Sequence, residues 1–67
     1  MAYQFKYGFG LPKGEYRRIE IQDENLGRKL QNEYLDRLRE YDMSNTQERK
    51  NAAARVRRVI AKAQKAA

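Results

Sequence analysis

The chain has 67 residues, with 15 Lys/Arg against 9 Asp/Glu and a formal net charge of +6. A chain of this length is at most one small domain, and it buries only ~60% of its unfolded surface. Cysteine and histidine are both absent. That excludes disulfide staples, thiol nucleophiles, imidazole bases and the usual zinc ligand sets. Charged residues make up 36% of the chain, yet the apolar residues recur with a period, so a folded domain spanning 1–67 is expected rather than a disordered segment.

Residues 3–9, YQFKYGF, place Tyr3, Phe5, Tyr7 and Phe9 at alternate positions. A period of two marks a strand with one aromatic face. The following Gly10-Leu11-Pro12-Lys13-Gly14 reads as a loop. Proline presets φ for the first central position of a turn, and Gly14 supplies a site of positive φ. Residues 15–22, EYRRIEIQ, form a second strand, with Ile19 and Ile21 on one face and Tyr16, Arg18 and Glu20 on the other. The pattern predicts a β-hairpin over 3–22. A lone hairpin is marginal in water, so its aromatic face needs a cover.

A first helix is predicted over 24–41. Asp23 or Asn25 can cap it, and Leu26, Leu30, Tyr34, Leu38 and Tyr41 form its apolar stripe. Pairs Glu24/Arg28 and Glu33/Arg37 stand at the favourable i,i+4 spacing. Gly27 costs ~1 kcal/mol relative to alanine inside a helix, so it signals either a late start or a close approach by another part of the chain. Leu35 lies off the stripe, turned to the hairpin or to a partner.

Ser44 followed by Gln47 matches a capping box and opens a second helix, predicted over 45–65. The short break implies two antiparallel helices. On the second, Ala52, Ala53, Val56, Val59, Ile60 and Ala63 fall within roughly 120° of arc. Residues 44–66 carry seven Lys/Arg and one Glu, a net of +6, while residues 23–43 carry six acidic and four basic groups, a net of −2. An acidic helix is thus expected beside a basic one. The fold class is α+β, in the order ββαα. Its expected core is Phe5, Tyr7, Phe9, Ile19, Ile21, Leu26, Leu30, Tyr34, Leu38, Val56, Val59 and Ile60.

The whole net charge of the chain resides in the second helix, so an electrostatic function belongs there. Arg55, Arg58, Lys62 and Lys65 share one face over ~15 Å, flanked by Arg57 and Lys50. Such a ridge suits several phosphates of a nucleic-acid backbone and offers little base specificity. A non-catalytic nucleic-acid-binding protein is the leading expectation. Neither a cofactor nor a metal is expected, and the carboxylates are accounted for by helix ends and exposed ion pairs. The alternative is a structural or adaptor subunit of a larger assembly, such as a virion or multi-subunit particle. There Tyr3, Phe5, Tyr7 and Phe9 would dock a partner as the added strand of its sheet, and the basic helix would meet an acidic protein surface. The slender core also favours a homo-oligomer or a place in a larger complex. The longest aliphatic run is Ala52 to Ala54, too short to span a membrane. The N-terminus lacks the charged start and apolar stretch of a signal peptide. A cytoplasmic location, or one within a nucleoprotein particle, is therefore expected.

Overall fold

In the computed structural model, which describes Met1–Ala67, the element order is β1 (Tyr3–Tyr7), β2 (Arg17–Ile21), α1 (Glu24–Arg39) and α2 (Thr46–Ala66). The ββαα order is the one the sequence predicts. The strands pair antiparallel, with Tyr3 opposite Ile21, Phe5 opposite Ile19 and Tyr7 opposite Arg17. Both are five residues long, shorter than the sequence pattern, because residues 8–16 fold into two consecutive turns instead of extending the ladder. Leu11 N donates to the carbonyl of Gly8 at 3.1 Å, and Glu15 N to that of Pro12 at 3.0 Å. Gly10 (φ 83°) and Gly14 (φ 86°) each occupy the third position of their turn, where type II geometry demands positive φ. Pro12 therefore opens its turn and does not occupy the first central position expected for it.

Asp23 caps α1, its carboxylate accepting from Leu26 N at 3.1 Å. The cap of α2 is Asn45, whose side chain accepts from Gln47 N at 2.9 Å and Glu48 N at 3.2 Å. Ser44 does not form the expected capping box. Its hydroxyl and amide both turn back to Asp42 Oδ1, at 2.6 and 2.9 Å. By donating both groups to the Asp42 carboxylate, Ser44 becomes part of the turn that precedes the helix, and Asn45 takes the cap.

The two helices run antiparallel, so that Leu26 and Leu30 of α1 lie beside Lys62, Lys65 and Ala66 of α2. The core joins all four elements: Phe5 and Ile21 from the hairpin, Leu30 and Tyr34 from α1, Val56, Val59 and Ala63 from α2. Each large apolar side chain removed from water contributes roughly 1.5–3 kcal/mol. The ring of Phe5 meets that of Tyr34 edge-on, centroids 5.6 Å apart. The Tyr34 hydroxyl accepts from the amides of Gly8 and Phe9, both at 3.1 Å, and so fastens the turn segment to α1.

Four core positions differ from the expected list: Leu26, Gly27, Ala52 and Ala63. Leu26 is exposed and Gly27 buried. The stripe of α1 begins one residue later than its leucines suggest, because Tyr3 lies across the first turn and only a residue without a side chain fits beneath it. Ala52 and Ala63 are fully buried; their small size lets the helices approach. Tyr7, Phe9, Ile19, Leu38 and Ile60 pack at the margin, half-buried.

Candidate nucleic-acid interface

On α2 the buried residues Ala52, Val56, Val59 and Ala63 occupy one narrow arc. The remaining circumference is left to the cations. Lys50, Arg55, Arg57, Arg58, Lys62 and Lys65 are all exposed. With 100° between residues, Arg55, Arg58, Lys62 and Lys65 fall within about 80° of one another, and Lys50 and Arg57 fall on the other side of the solvent face. The arrangement is a rod with an apolar seam and a cationic back. At ~1.5 Å rise per residue, Arg55 to Lys65 covers ~15 Å.

Partnering separates these residues. Lys62 Nζ lies 3.2 Å from Glu33 Oε1 of α1. This is the sole ion pair between the helices; the others lie within α1 or at its C-terminal cap, at Arg28–Glu24, Arg37–Glu40 and Arg39–Asp36. The expected mutual neutralisation of an acidic and a basic helix therefore reduces to one exposed contact, worth at most about 1 kcal/mol. Glu33 faces across to α2 and leaves Arg37 to Glu40, so the expected Glu33–Arg37 pair is not formed. Lys50, Arg55, Arg57, Arg58 and Lys65 stand free of carboxylates.

The aromatic strand occupies a different place from the surface expected of it. Phe5 is fully buried, and Tyr3, Tyr7 and Phe9 pack against the core from its margin. Phe5 thus has no surface to offer a partner. Lys6 and Arg18 sit opposite one another on the other face of the sheet, both exposed. Base-stacking platforms need exposed rings beside cations on one face; the pleat turns Lys6 and Arg18 away from Phe5, and of the strand's own neighbours only Arg17, opposite Tyr7, shares the aromatic face. The edge of β1 is also occupied: Gln31 of α1 accepts from Lys6 N at 2.7 Å and donates to Lys6 O at 3.0 Å. A partner strand cannot be added along β1 without displacing that amide.

Tyr16 and Arg18, expected on one strand face, form an exposed pair outside the cationic helix. Tyr16 is 56% exposed, with the Arg18 guanidinium 5.4 Å from its ring centroid and Arg18 Nη2 donating to its hydroxyl at 3.0 Å. The hydrogen bond and charge of Arg18, with a smaller contribution from Lys6, hold the Tyr16 phenol below its ordinary value. Their i,i+2 spacing sets the two side chains on one strand face.

No helix is long and apolar enough to cross a membrane. No group of three His, Cys, Asp or Glu side chains converges on a point that could hold a metal ion. No family model, no curated protein and no solved structure matches this chain.

Proposed function

We propose that this chain is a non-catalytic nucleic-acid-binding protein whose α2 helix neutralises backbone phosphates. One observation carries the reading: six exposed cations on α2 lack any carboxylate partner inside the chain. An arginine or lysine held by a rigid helix and left unpaired is available to a phosphate at no loss of an internal contact. The set is Arg55, Arg58 and Lys65 on one side and Lys50 and Arg57 on the other, with Arg49 in the first turns nearer the apolar seam. Lys62 is a secondary member, since engaging phosphate competes with Glu33. Contacts of this kind set affinity and orientation and carry little sequence information.

The test is a mobility-shift titration of the intact chain on a short duplex and a single strand across a salt series. The logarithm of the association constant is expected to fall with the logarithm of salt at about −0.9 per phosphate engaged on duplex DNA. The combined variant R55Q/R58Q/K65Q, checked for an unchanged far-ultraviolet circular dichroism spectrum, is expected to flatten that slope and to weaken binding to both probes. Unchanged binding by this variant would remove the proposal. If α2 instead faces an acidic protein, neither probe shifts at any salt concentration.

A further inference from the structure

The hairpin has two edges, and the fold treats them differently. The backbone groups of Lys6 face outward to Gln31, which fixes the phase of the ladder. Lys6 and Arg18 are a non-hydrogen-bonded pair, as are Gln4 and Glu20, while Phe5/Ile19 exchange ladder bonds. On β2 the outward backbone groups are therefore those of Arg18 and Glu20. Outside the ladder these two residues bond only through their side chains, Arg18 to Tyr16 and Glu20 to Gln22. One edge is closed by a side-chain amide and the other is open along its length.

An open edge ordinarily carries devices that repel another strand: proline, a bulge, or like charges that meet when the strand pairs with itself. Residues 17–21 read RRIEI and contain no proline. A two-fold axis midway between Ile19 and Ile19 of a second copy, perpendicular to the sheet, sets Arg18 opposite the second copy's Glu20 and Glu20 opposite its Arg18. The phase is the required one, because the residues whose backbone groups face outward become the hydrogen-bonded pairs. Ile19 meets Ile19 of the second copy as a non-hydrogen-bonded pair, where side chains stand closer. Opposite charges placed directly across strands attract. Within one chain Arg18 instead faces Lys6, a like-charge pair that Glu20 of a second copy would relieve.

We infer that β2 is a homodimer interface, in which two copies join edge to edge into a four-stranded antiparallel sheet in the order β1-β2-β2-β1. The contact is isologous, as two-fold symmetry demands. It leaves the α2 helices of both copies on the same side of the sheet. It rests on the β2 edge alone and stands or falls independently of nucleic-acid binding.

Sedimentation of nuclease-treated protein over a concentration series tests it. The wild-type mass is expected to rise with concentration from 8.0 kDa toward twice 8.0 kDa. Arg18→Glu sets two carboxylates against each other across the interface, and Glu20→Arg sets two guanidinium groups together. Each variant alone is therefore expected to remain at 8.0 kDa. An equimolar mixture of the two places every acid opposite a base and is expected to recover the doubled mass, as is the double variant R18E/E20R. The mixture excludes misfolding as the reason for failure of the single variants. A wild-type protein that stays monomeric throughout, single variants that associate as wild type does, or a mixture that fails to associate would each overturn the inference.

Discussion

Tyr3 lies on Gly27 so closely that a β-carbon built on the glycine would stand 2.6 Å from Tyr3 Cβ and 2.9 Å from its Cγ and Cδ1. These are atoms near the strand backbone, not the far end of a flexible chain. Alanine gains ~1 kcal/mol of helix propensity at this position, but overpacking typically costs about 1–3 kcal/mol. Gly27→Ala is expected to be destabilising by about 1 kcal/mol, read as a lower urea midpoint. A midpoint that rises instead would mean that the strand end moves aside freely.

Tyr34 acts through its hydroxyl as well as its ring. Tyr34→Phe keeps the edge-on contact with Phe5 and removes the acceptor for Gly8 N and Phe9 N. Leaving partly buried donors unpaired costs about 1–3 kcal/mol. The expected outcome is a loss in that range. Amide hydrogen exchange at Gly8 and Phe9 should accelerate more than exchange at Val56 or Val59.

Gln31 is the lock on the β1 edge. Gln31→Ala removes both bonds to Lys6, and because the site is open to water the loss is expected to be about 1–2 kcal/mol. The local signature is faster exchange of the Lys6 amide. If that amide already exchanges at the unprotected rate in the wild type, the edge is not closed as described.

The turn between the helices confers a pH dependence. The hydroxyl of Ser44 first, and its amide second, hold the Asp42 carboxyl below its ordinary value of 3.8. The folded carboxyl thus binds its proton less tightly than the unfolded one. The stabilisation is complete above the ordinary value and disappears as pH falls through the lowered folded value. A carbon-detected NMR titration of Asp42 is expected to show the lowered midpoint, and Ser44→Ala should return it toward 3.8. A midpoint unchanged by that substitution would exclude the hydroxyl as the cause.

Much of this was legible along the chain. Alternation named both strands, and the 3.6-residue period named both helices to within two residues at each end. The concentration of positive charge on the last helix was visible by counting. Gly27 announced an unusual contact, though not with what. Leu26 misled because a stripe of leucines fixes the phase of a helix only when nothing larger claims the same ground, and the ring of Tyr3 does. Alternation alone leaves the strand aromatics open to two roles, core and docking face. The pleat decides between these, since alternate residues must face opposite ways and the helices cover the face that carries Phe5.

Local pattern, then, settled which segments become strand or helix and where the charge lies, because period, turn chemistry and net charge are properties of neighbours in sequence. Only the tertiary structure decided which cations remain free, that Gln31 closes one sheet edge, and that Arg18 and Glu20 line the open one. Those outcomes depend on which side chains meet across long stretches of chain, as Lys6 and Gln31 do 25 residues apart. Such meetings are fixed by how four elements pack around Phe5, Tyr34 and Val56, not by any spacing within one of them.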